Sequence, residues 1–161
     1  MSQTPASPAA ASASMATATT ATTALARVAE SLARQGMMQH LGTRLVSVGE
    51  GEVTLAMPYS DRVTQQQGGY HGGAIGALAD IAGGYAGLSV APEGMEVTTV
   101  EFKINFLNAC QGGELHATGR VIKAGKRTMV TSAEVTHVAD DGRCTPCAVM
   151  QQTLMAVPKT Y

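Results

Sequence analysis

The alternation of apolar and polar positions divides the chain into a helical start, a short hairpin, one long helix and four long strands. Leu25, Val28, Ala29 and Leu32 recur at helical spacing, with Glu30 and Arg34 set for an i,i+4 ion pair and Gly36 placed to cap the end. Such a helix would serve as a lid or a brace. After Gly42 the period becomes two. Leu45, Ser47 and Gly49 alternate with Val46 and Val48, then Val53, Leu55 and Met57 with Thr54 and Ala56. Gly49-Glu50-Gly51 between them predicts a hairpin, and Pro58-Tyr59-Ser60-Asp61 then leaves the sheet. Met95 to Leu107 alternates Val97, Thr99, Glu101, Lys103 and Asn105 against Thr98, Val100, Phe102, Ile104 and Phe106, which predicts one polar and one apolar face. Strands over Leu115–Lys123, Arg127–Val138 and Cys144–Val157 follow, with turns at Ala124-Gly125-Lys126 and Asp140-Asp141-Gly142. An antiparallel sheet wrapped around one helix, an α+β fold, is the simplest architecture for this order.

The helix at the centre is predicted from Gly73 to about Ser89, since the run is rich in Ala, Leu and Ile, lacks proline and stops before Ala91-Pro92. Gly76, Gly83, Gly84 and Gly87 oppose this, each at a cost of roughly 1 kcal/mol relative to alanine. Close packing against a curved sheet would compensate. From Val63 to Pro92 the only formally charged residue is Asp80. A carboxylate inside an apolar helix costs several kcal/mol unless it is paired, hydrogen-bonded or facing a wet cleft, so Asp80 is the first functional candidate.

Composition narrows the classes. With 161 residues, 45% hydrophobic and 14% charged, the chain supports one domain over residues 25–161; residues 1–24, without a single charge and made almost wholly of Ala, Ser, Thr, Pro and Gln, read as a disordered tail. A formal net charge of −1 offers no basic surface for nucleic acid. No uninterrupted apolar run reaches the roughly 18 residues that span a bilayer, and the start has neither the Leu-rich core of a secretory signal nor the arginines of a transit peptide. A cytoplasmic protein is expected.

Gly68-x-x-His71-Gly72-Gly73, then Leu78-Ala79-Asp80, the Val97-to-Leu107 strand and the Gly112-Gly113-Glu114-Leu115 turn together resemble the hotdog-fold acyl-CoA thioesterases, most closely the branch named for the phenylacetic-acid pathway. The resemblance runs from about Gly36 to the C-terminus. It implies a sheet wrapped around the Gly72–Ser89 helix, a homodimer with one continuous sheet, often paired again into a tetramer, and hydrolysis of an acyl-CoA thioester with no metal or redox cofactor. It also implies that the Gly72 N–H polarises the thioester carbonyl and that Asp80 acts as general base or nucleophile. The first N–H groups of a helix lack internal partners, and the dipole there favours a developing oxyanion. Gly72 and Gly73 would let substrate approach the backbone. Gln65 stands where many relatives carry asparagine and would place water or the thioester; Thr99 lies near a water-holding serine of some relatives.

Nine residues of helix put His71 and Asp80 on opposite sides and about 13 Å apart along the axis. One chain therefore cannot bring both to one substrate, whereas a site shared across a two-fold axis can. The plainer readings are that Asp80 is satisfied within the core, that His71 holds the loop before the helix, that Gln65 to Gln67 form a polar loop and that Tyr85 only packs. Cys144-Thr145-Pro146-Cys147 opens a strand rather than a helix, and its cysteines have opposite parity, so a redox or zinc site is not expected. Lys123, Lys126 and Arg127 are the densest basic cluster and the candidates for coenzyme A phosphates. The alternative functions are a non-catalytic acyl-CoA-binding module and a hydroxyacyl-thioester dehydratase.

Overall fold

The computed structural model describes residues 23–161; the expected tail lies outside the described residues except at positions 23 and 24. Helix α1 (residues 23–33) leads to the short α2 (Gly36–His40) and the β1–β2 hairpin (Arg44–Gly49, Glu52–Pro58). A 3-10 turn at Asp61–Val63 precedes the long α3 (Gly72–Val90), and β3 (Met95–Phe106), β4 (Glu114–Ala124), β5 (Thr128–Val138) and β6 (Cys144–Pro158) complete the chain. All pairings are antiparallel, in the order β1-β2-β4-β5-β6-β3. The sheet curls around α3, which touches all six strands. This is the α+β hotdog arrangement.

Ile75, Leu78, Tyr85 and Leu88 of α3 meet Leu55, Met57, Leu115 and Leu154 of the sheet in one core. Each large side chain buried this way contributes roughly 1.5–3 kcal/mol, which outweighs the poor helix propensity of the glycines. α3 has 19 residues and a mean hydropathy of 1.2, enough by length and composition to cross a membrane, but 67% of it is buried inside the fold. The segment is the core helix, and Asp80 interrupts its apolar run. The glycines divide in two groups. Methyls at Gly83 and Gly87 would lie 2.3 Å from Gln152 Oε1 and 2.5 Å from Leu154 Cδ1, whereas at Gly76 and Gly84 they would meet nothing within 4 Å. Close packing accounts for the first pair only.

Three local expectations are corrected. Gly36 does not cap α1 but begins α2; the last turn of α1 closes through Arg34 N–H to the Ser31 carbonyl. Glu30 and Arg34 do not pair, because α1 docks beside the C-terminus, where Glu30 meets Lys159 Nζ at 3.0 Å and Arg34 lies over the Tyr161 ring. In β3 a bulge between Thr99 and Glu101 adds one residue and reverses the parity. Thr99 pairs with Leu154 and Phe102 with Gln152, so Val97 and Thr99 share the inward face with Phe102, Ile104 and Phe106. The single polar face expected along the whole strand does not exist.

Candidate active site

The loop before α3 is built to present a helix N-terminus. The Gln65 N–H donates to the Gly69 carbonyl, the Gly68 N–H to the Gln65 carbonyl, and Gly68 takes φ +86°, a conformation open to glycine. The His71 N–H then donates to the Val63 carbonyl at 2.7 Å, and His71 becomes the N-cap. Its Nδ1 accepts the Gly73 N–H at 2.8 Å, while its carbonyl accepts those of Ala74 and Ile75. Gly72 is left as the one first-turn N–H with no partner among the described residues. A methyl there would stand 3.2 Å from Phe106 Cζ, so the absent side chain keeps the approach to this donor open. With Nδ1 accepting, a neutral His71 ring carries its proton on the exposed Nε2.

Gly72 opens into a cavity of about 310 Å³ lined by Gln65, Gly69, Tyr70, Ile75, Phe106 and Leu107 among others. Gln65 Oε1 accepts the Gln67 N–H, which fixes the amide and leaves Nε2 as a donor beside Gly69. Burial of Tyr70 pushes its phenol well above the ordinary tyrosine range, so it remains a neutral wall of this cavity. Burial, and then the neighbouring Cys110, raise the Cys147 thiol to about 12, which makes it an unreactive packing group. Cys144, three residues earlier, is exposed.

Asp80 faces elsewhere. It lines a separate cavity of about 80 Å³ with Thr99, Val97, Gly84, Tyr85, Ser31 and Gln35. The empty space beside Gly84 belongs to this cavity. Thr99 Oγ1 donates to Asp80 Oδ1 at 2.7 Å and Gln152 Nε2 to the same oxygen at 3.1 Å, so the carboxylate is held by neutral donors rather than a cation. At the far side, Gln35 Nε2 donates to Tyr85 Oη at 2.8 Å, and burial raises the Tyr85 phenol to about 12. Tyr85 is therefore more than the packing residue the sequence suggested: its neighbours close the Asp80 cavity with a segment of α1. Lys123, Lys126 and Arg127 are exposed on the β4–β5 hairpin and line neither cavity.

Within one protomer, then, Gln65, His71, Gly72 and Gly73 gather at one end of α3 and Asp80 with Thr99 further along it. Gly72 and Asp80, eight residues apart, are separated by about 12 Å of helix. Sequence reasoning missed Gln152, Gln35 and Ser31. Gln152 had a signal: it has the parity of Met150 and Leu154, a polar residue in a row of inward apolar ones.

A curled antiparallel sheet around one buried helix is the fold of the hotdog thioester hydrolases. Residues 67–144 match the thioesterase superfamily model. A thioesterase family protein from Silicibacter pomeroyi is 38% identical in sequence and superposes with a TM-score of 0.81, over 84% of this chain and 99% of that one. A 1,4-dihydroxy-2-naphthoyl-CoA hydrolase of Listeria monocytogenes is 30% identical over 110 residues, which are 68% of this chain and 89% of that one. The PaaI protein from the phenylacetic acid degradation operon of E. coli shares the fold at a TM-score of 0.77 and 23% identity, over 87% of this chain and 97% of that one. The chain belongs to the thioesterase superfamily.

Proposed function

We propose that the protein hydrolyses an acyl-CoA thioester at a site composed by two protomers, each giving the N-terminal cavity of α3 to the Asp80 of the other. The observation that carries this is the separation of the two reactive groups: one chain holds an unpartnered Gly72 N–H and a half-bonded Asp80 carboxylate, in different cavities. The 1,4-dihydroxy-2-naphthoyl-CoA hydrolase among the relatives supports coenzyme A as the thiol.

The thioester carbonyl accepts the Gly72 N–H, with Gln65 Nε2 orienting it or the water and Gly73 leaving the approach clear. Asp80 takes a proton from water as the water oxygen attacks the carbonyl carbon, and the Gly72 N–H stabilises the oxyanion that forms. Collapse of this intermediate expels coenzyme A thiolate, which recovers a proton. Direct attack by the carboxylate would instead form an anhydride that water then opens. His71 supports the loop and caps the helix. The dimer, its possible pairing into a tetramer and a cytoplasmic location belong to the same proposal.

Free-thiol release from a panel of aliphatic and aryl acyl-CoA thioesters tests it, with the native protein beside Asp80→Asn. The expected result is a loss of roughly 100- to 10,000-fold in kcat with the thermal transition retained. Binding of acyl-CoA without turnover by the native protein would overturn it. Single turnover in isotopically labelled water tests for the second route: label left on Asp80 shows an anhydride that water opened at the Asp80 carbonyl.

A further inference from the structure

Gln152 lies on β6, 72 residues from Asp80 in sequence, and is 1% exposed. Its Nε2 donates to Asp80 Oδ1 at 3.1 Å and, at 3.3 Å, to the Asp80 main-chain carbonyl. Thr99 Oγ1 donates to the same Oδ1. Both donors therefore hold one oxygen of the carboxylate, and Oδ2 has no partner among the described residues. We infer that Gln152 is a positioning residue which, with Thr99, clamps Oδ1 of Asp80 so that Oδ2 is the oxygen that reacts. The inference rests on the reading of Asp80 as the catalytic carboxylate.

A second observation separates this role from ordinary packing. Gln152 Oε1 is buried and has no hydrogen-bond partner, and neither has Thr131 Oγ1 beside it. Gly83 lies under both: a methyl at that position would stand 2.3 Å from Gln152 Oε1 and 2.9 Å from Thr131 Oγ1. An unpartnered buried carbonyl is destabilising, and a glycine within a helix is too. A methionine or leucine between Met150 and Leu154 would avoid the first cost. What the glutamine supplies in return is its amide on Asp80. Holding a reacting group to within a fraction of an ångström is worth this, since a displacement of about 1 Å costs on the order of 100-fold in rate. Stability has been given up locally for geometry, a trade that marks functional positions.

The test is Gln152→Met, similar in length but without the donor or the unpartnered carbonyl. The expected outcome is a kcat for thiol release lowered roughly 10- to 100-fold, a KM little changed and a thermal midpoint equal to or above that of the native protein. In an Asp80→Asn background the same substitution is expected to add no further loss, because the amide acts only through that carboxylate. Gln152→Asn, which keeps the amide but withdraws it by one methylene, is expected to show the same kcat loss.

Native kcat in both Gln152 variants, with Asp80→Asn inactive, would overturn the positioning role and leave the Asp80 reading standing. Full activity of Asp80→Asn would remove that reading and this inference with it. A Gln152→Met protein with a strongly lowered thermal midpoint would also overturn it, by showing the amide to be structural.

Discussion

The absent side chain at Gly72 keeps the space between the helix N-terminus and the Phe106 ring open. Gly72→Ala would keep the N–H but set a methyl 3.2 Å from Phe106 Cζ, where the ring has to give way. The expected outcome is a kcat lowered roughly 10- to 100-fold with a thermal midpoint close to native, read from thiol release and calorimetry. Glu114 governs a different property. The hydrogen bond with His116, opposed by partial burial and aided by Arg44, lowers its carboxyl from the ordinary 4.5. A depressed folded-state value means stability present above the unfolded value and lost as pH falls through the lower folded one. Thermal midpoints should therefore decline as pH falls below about 4.5, and less steeply in Glu114→Gln. Gly72 was singled out only through the family resemblance, the residue pattern placing the helix start at Gly73, whereas Asp80 stood out locally in the sequence as a lone charge in an apolar run. Gln152 did not, because its partner lies 72 residues away and only the assembled sheet brings them together.

Helix α1 shows what an element outside the sheet can add. Arg27 Nη1 donates to the Ala91 carbonyl and Nη2 to that of Met95, both at 2.8 Å, so α1 is latched to the C-terminal end of α3. Gln35, just past α1, reaches Tyr85 at the Asp80 cavity. Arg27→Ala removes charge-assisted bonds worth roughly 1.5–3 kcal/mol each at most. Faster hydrogen exchange in α1 than in β5 and β6, and turnover extended to longer acyl groups, are the expected consequences; unchanged exchange would show that the latch is not what holds α1. Most element boundaries were legible to within one or two residues, since hydrophobic period marks where strands and the core helix lie. The β3 bulge was not. From Val100 to Phe106 the alternation is regular, and only Val97, an apolar residue on the polar parity, hints at the shift; no glycine marks the extra residue. Yet the bulge puts Thr99 and Phe102 on one face and thereby gives Asp80 its threonine.

At the scale of the molecule, β3 is an edge strand with Val100 exposed at 58% and Leu107, just past its end, at 49%. An open apolar edge is a template for pairing with a second copy. Val100→Lys is expected to shift the elution volume to that of a monomer and abolish thiol release, while far-ultraviolet circular dichroism stays native. Retained activity in a monomer would exclude the shared site. The division of Gly72 and Asp80 between two cavities also has a genetic consequence. On the proposed shared site, a protomer lacking the Asp80 carboxylate and one damaged at Gly72 would each be inactive alone, but the mixed dimer would contain one site with both groups intact. Two null alleles expressed together at equal levels should then complement each other to roughly a quarter of wild-type activity under random pairing.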